Sequence, residues 1–175
     1  MKKNLFIWQM GGLTFTAVLG TILHFLYGWT GLKIFATISA VNESTWEHMK
    51  LVFIPSFIFA LFQSRFAKDY KSFWFIKLIG IVIGTIFISI LFYTLGGSFG
   101  KLSAIVNIAI FFVSVAIGYF TELYLFNKIK GKKWLNFVSI GLLIVILILF
   151  IIFSFNPPKI PLFLDPVTNG YGITK

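Results

Sequence analysis

SAVNESTWEHMKL, residues Ser39 to Leu51, is the stretch on which the reading of the fold turns. It holds two of the chain's five acidic residues, one of its two histidines, a Trp and a Lys. On either side lie long runs of Phe, Ile and Leu. Ser44-Thr45-Trp46-Glu47 fits a capping box, in which the Ser hydroxyl caps a helix start and the Glu reaches back to the Ser amide. Glu43 and Glu47 favour the positive end of that helix dipole, and Trp46 suits a membrane interface. A polar, capped helix start between apolar runs is what a chain needs where it turns back into a bilayer.

Composition supports that setting. Of the 175 residues, 58% are hydrophobic and 11% charged, against about 45–50% and about 25% in soluble domains. A soluble fold of this length has too little interior for so much apolar surface, so lipid is expected as the solvent for much of it. The formal charge of +10 is spread over short segments between apolar runs rather than along one stripe, which argues against a nucleic-acid partner. With no Cys, disulfides and thiolate metal sites are excluded.

Five segments are long enough to cross a bilayer, which takes about 20 residues of helix: Leu5–Leu26, Thr45–Gln63, Phe73–Leu95, Leu102–Phe126 and Trp134–Phe153. The expected architecture is one all-α domain, residues 1–175, built as a bundle of five transmembrane helices with a tail over 154–175. The first run follows Lys2 and Lys3 but is longer than a signal-peptide core, and no A-x-A-like site follows it. Pro55 is expected to kink the second span. Gly80 and Gly84, at GxxxG spacing, are expected to pack helices within the chain. Gly96 to Gly100 reads as a tight turn. Pro157, Pro158, Pro161 and Pro166 exclude a sixth helix, and the apolar tail is expected to dock back on the bundle.

The basic residues give an orientation. Lys2, Lys3, Arg65, Lys68, Lys71, Lys128, Lys130, Lys132 and Lys133 fall at one set of span ends, and far fewer fall at the other. The positive-inside rule then places the N-terminus in the cytoplasm and the tail outside. It follows that His24, Glu43, Glu47, His48 and Asp165 share the outer face, and the two ends of the chain meet there. Glu122 lies toward the other face, where pairing with Lys128 or Lys77 is the expected way to hold a carboxyl in a span.

A capped helix start accounts for Ser44, Trp46 and Glu47 without any activity, but leaves His24, Asn42, His48 and Asp165 over. Two chemistries suit the whole set. His24, His48 and Glu47, with Glu43 and Asp165 nearby, are N and O donors suited to zinc or a similar divalent ion with a position open for water. Alternatively His48 acts as a general base oriented by Glu47, Glu43 or Asp165. Neither H-E-x-x-H nor G-x-S-x-G occurs, and no phosphate or dinucleotide loop is visible.

HFLYGW at His24–Trp29, VNESTWEHMKL at Val41–Leu51 and DPVTNGYGI at Asp165–Ile173 resemble the signature blocks of an uncharacterised family of small bacterial multispanning membrane proteins, domain of unknown function 6512. The resemblance runs from end to end and implies residence in the bacterial cytoplasmic membrane, but brings no activity, substrate or cofactor. Within its blocks Asn42, Tyr27, Trp46, Lys50 and Tyr171 are the candidates for substrate binding. The leading expectation is a metal-binding or acid/base site at the outer interface. A small-molecule transporter, with a path running inward past Glu122, and a structural subunit of a membrane complex are the alternatives.

Overall fold

A computed structural model describes residues 1, 4–129 and 131–173. Lys2, Lys3 and Lys130, which entered the charge count, and Lys175 of the tail lie outside the described residues. The described chain is all-helical: α1 (Leu5–Thr30), α2 (Thr45–Ser64), α3 (Phe73–Phe99), α4 (Ala104–Lys128) and α5 (Trp134–Phe155), with 3-10 turns at Phe35–Thr37 and Pro161–Phe163. These fall where the five spans are expected. Four of them, α1, α3, α4 and α5, are long and apolar enough to cross a membrane.

The exception, α2, is the central helix, touching each of the other four. Fourteen of its 20 residues are buried, against four of 22 in α5. Because protein rather than lipid surrounds it, α2 can carry Glu47, His48, Lys50, Ser56 and Gln63 where the outer helices are almost wholly apolar. Phe53, Ile54 and Phe57 of α2 pack with Ile81, Ile88, Phe111, Val115, Leu143 and Phe150 in the main core. Ile7, Ile108, Phe120 and Ile144 point outward and are exposed, as apolar surface is when lipid covers it.

Local chemistry sets the helix ends. Gly31 follows α1 in the left-handed region (φ 63°), and its N–H donates to the Tyr27 carbonyl, the usual glycine stop. Ser103 caps α4 by accepting from the Val106 N–H. The Gly96–Gly100 segment is not a turn: α3 runs on through Phe99, and the Gly100 N–H closes on the Gly96 carbonyl at 2.9 Å. Only Gly100, at φ 76°, departs from the helix.

Close helix approach depends on three glycines. A Cβ on Gly84 would stand 3.3 Å from the Gly118 Cα, and one on Gly118 would stand 2.9 Å from the Gly80 carbonyl oxygen. The expected GxxxG pair thus joins α3 to α4 within the chain. Pro55 has no N–H for the Leu51 carbonyl four residues back. Gly20 of α1 packs against that oxygen, which a Cβ would meet at 2.8 Å.

The tail docks as its composition suggests. Leu164 and Tyr171 form an antiparallel bridge, and Phe163 is buried against Trp46 at a centroid distance of 4.8 Å. Asn42 donates from Nδ2 to the Gly172 carbonyl at 2.8 Å. The α1–α2 loop, the α3–α4 turn and the tail therefore gather at one end of the bundle.

Candidate functional site

At that end Ser44 does more than cap α2. Its hydroxyl accepts from the Glu47 N–H at 3.4 Å, as the capping box requires, but its own N–H donates to Asn42 Oδ1 at 2.9 Å. The Glu47 carboxylate does not reach back to Ser44, because stronger partners hold it. Oε2 lies 2.6 Å from Lys50 Nζ and accepts from the Val41 N–H at 3.1 Å, while Oε1 accepts from the Ser154 hydroxyl at 2.8 Å. Lys50 also donates to the Ala36 carbonyl at 3.0 Å and to Ser154 Oγ at 2.6 Å. All three ammonium protons are thus used, and a buried pair of opposite charge is stable only when satisfied in this way.

Freed from Glu47, His48 turns to a different partner. Its Nδ1 lies 2.9 Å from the Ser44 carbonyl oxygen. A carbonyl can only accept, so the ring donates from Nδ1, and in the neutral ring the lone pair is on Nε2. That Nε2 is 3.5 Å from Glu43 Oε2, and His24 Nε2 is 3.7 Å from Glu43 Oε1. One ligand atom from each of the three residues lies within 4.8 Å of the others. The histidine side chains are about a quarter exposed and Glu43 is 48% exposed. The two rings are tilted at 42° to each other with their centroids 5.4 Å apart. His24 Nδ1 is buried with no hydrogen-bond partner.

Glu43 and His48 of this triad line a cavity of about 750 Å³, together with Thr45, residues of α3, α4 and the turn between them, and Pro166 and Val167 of the tail. Asp165 stands next to that lining but is turned away. It is 2% exposed, and its carboxylate accepts from the Val167 N–H at 2.9 Å and the Thr168 hydroxyl at 2.6 Å. That pattern is a self-closed turn.

The candidate residues therefore separate. His24, Glu43 and His48 converge. Glu47 and Lys50 form a buried ion pair behind them. Trp46 is wedged against Phe150, Phe153 and Phe163. Asn42 ties the loop to the tail, Tyr171 bridges Leu164, and Tyr27 is half-buried on the last turns of α1. Sequence reasoning passed over Ser154, Lys101 and Asn107. Ser154 and Asn107 are polar interruptions near the ends of apolar spans, a signal that was available, whereas Lys101 counts there only as a loop charge.

At the far end Glu122 pairs with Lys77, the second of its two expected partners, at 2.5 Å. Both are buried, and the Lys77 ammonium sits 5.2 to 5.9 Å from the ring centroids of Tyr119, Phe59 and Phe73.

These features define a class: an all-helical protein, four of whose helices could cross a membrane, carrying a His-Glu-His group beside a cavity at one end. The chain belongs to a family of unknown function, DUF6512, whose model matches residues 1–173. Neither a curated protein nor a solved structure matches it.

Proposed function

We propose that the protein is a five-span bacterial cytoplasmic-membrane protein that binds a divalent ion such as zinc between His24, Glu43 and His48, presenting it to the neighbouring cavity at the outer interface. The observation that carries this reading is the convergence of two imidazole Nε2 atoms on one carboxylate, at 3.5 and 3.7 Å. Ligands at about 2.0–2.1 Å from a tetrahedral zinc lie roughly 3.3 Å apart, so a small inward movement suffices. The Ser44 carbonyl holds the His48 tautomer with its lone pair on Nε2, the kind of outer support that metal-binding histidines have. Two His and one carboxylate leave a fourth position free, and a zinc there would supply an activated water or polarise a substrate oxygen.

The orientation with the tail outside rests on the Lys and Arg distribution. For the fifth span, α2, the support is its length and its enclosure by the other helices. The transporter alternative gains less, because Gly84 and Gly118 bring the α3 and α4 backbones together between the cavity and Glu122.

Elemental analysis of purified protein tests the proposal. About one zinc per chain is expected, with affinity reduced tenfold or more in His24→Ala, Glu43→Ala and His48→Ala. Wild-type protein that retains no more zinc than the triple variant overturns it. In that event the His48 lone pair is left as a general base beside Glu43.

A further inference from the structure

The cavity has a polar end and an apolar length. On α3 it is lined by Ile88, Phe92 and Gly96, positions four residues apart and so in one row along the helix, and just past the helix end by Gly100. At 1.5 Å rise per residue the row from Ile88 to Gly96 is about 12 Å long. Gly96 and Gly100 have open space where a side chain would stand, which leaves the mouth wide at the end carrying His48 and Glu43. Across from the row, Ile110 and Phe111 of α4 complete an apolar wall. The outer faces of the same two helices are exposed and apolar at Ile90, Tyr93, Ile108 and Phe112.

Two groups at the mouth have no assigned role. Lys101 is the one lysine in the lining, and it makes no ion pair among the described residues. Asn107, in the first turns of α4, has a buried amide oxygen with no partner, an arrangement that is costly unless a donor arrives. The start of α4 also favours negative charge through the helix dipole.

We infer that the ligand of this cavity is an anionic phospholipid with a hydroxylated head, its phosphate held by Lys101, a head hydroxyl donating to Asn107 Oδ1 beside His48, and one acyl chain lying along the Ile88–Phe92 row. The inference rests on the zinc reading for what is presented to the head, since a bound ion offsets the charge of Glu43. The binding itself draws on Lys101 and the apolar wall. A soluble anion would use the mouth and leave the wall bare. A cavity of about 750 Å³ takes one ligand of drug-like size, which matches a head with a single chain.

The test titrates zinc-loaded protein in detergent with lysophosphatidylglycerol, lysophosphatidylcholine and glycerol phosphate, counting bound lipid by native mass spectrometry and zinc on the same samples. One lysophosphatidylglycerol per chain is expected, bound about tenfold more tightly than the zwitterionic lipid. Lys101→Gln removes that preference with zinc unchanged, and Phe92→Ser weakens both lipids. If Lys101→Gln does not purify, loss of the wild-type preference at high salt replaces it. Equal affinity for the two lipids, or displacement by glycerol phosphate at equal concentration, overturns the inference. Zinc retained without lipid preference sinks the lipid reading alone; lipid preference retained without zinc sinks the metal reading alone.

Discussion

Among the described residues the protein buries two lysine–carboxylate pairs, and they are built in opposite ways. Lys50–Glu47 is a hub: between them the two side chains hold the Ala36 and Val41 segments and Ser154 of α5 through charge-assisted hydrogen bonds to neutral groups. Lys77–Glu122 joins α3 to α4, and aromatic faces, including Phe59 of α2, supply most of the remaining shell around its ammonium. The difference teaches what each pair is for. Charges with several neutral partners fix the positions of loops, and here they fix the loop that carries Glu43. A pair closed on itself fixes one helix against another, at the level where Gly80 leaves room for the Glu122 side chain.

The largest effect is expected from opening the closed pair. Lys77→Met leaves the Glu122 carboxylate without its cation in the bundle, which costs about 3–5 kcal/mol when a buried pair is broken. The double variant Lys77→Met with Glu122→Leu removes both charges and is expected to recover most of that loss. Reversible unfolding in mixed micelles measures the three variants. A double variant no more stable than Lys77→Met would break the contrast, since the pair would then be more than two charges neutralising each other.

The hub responds differently. Glu47→Gln keeps the shape and one carbonyl acceptor but removes the charge facing Lys50, at a cost of about 1.5–3 kcal/mol. Because Val41 sits two residues before Glu43, this variant is also expected to weaken zinc retention without touching His24, Glu43 or His48. Lys77→Met should leave zinc retention as it is, its pair being at the other end of the bundle. Unfolding and zinc content measured on both variants sharpen the comparison. Equal zinc loss in the two would remove the distinction between loop-fixing and helix-fixing pairs.

How much of this was legible beforehand follows the same division. Helix number and approximate bounds were readable because each apolar run is about as long as the roughly 20 residues a helix needs to cross a bilayer. The meeting of the tail with the α1–α2 loop followed from counting alternate ends. The Lys77 partner of Glu122 was readable as one of two choices. Hidden was the division of labour within Asn42–Lys50. Glu43, Glu47 and His48 are equally plausible donors as residue types. Which carboxylate faces the histidines depends on where Lys50 and Ser154 send Glu47, and Ser154 is 107 residues away in the chain. The continuation of α3 through Gly96 and Gly97 was also illegible, because glycine propensity argues for a stop that a helix with space around it does not need.

The smallest effect tests the seam between loop and tail. Asn42 uses both ends of its amide, accepting from the Ser44 N–H and donating to the Gly172 carbonyl. Asn42→Ala removes two neutral hydrogen bonds at a half-exposed position, for a loss of about 1 kcal/mol each at most. Water can replace part of it, so global stability should hardly move. The tail, however, contributes Pro166 and Val167 to the cavity wall, and Phe163 holds it to the bundle against Trp46 and Phe153. Faster proteolysis after residue 156 in Asn42→Ala, at unchanged unfolding midpoint, is the expected outcome. Cleavage as slow as in the wild type would mean that the aromatic contacts alone hold the tail, and that the polar seam belongs to the loop rather than to the cavity.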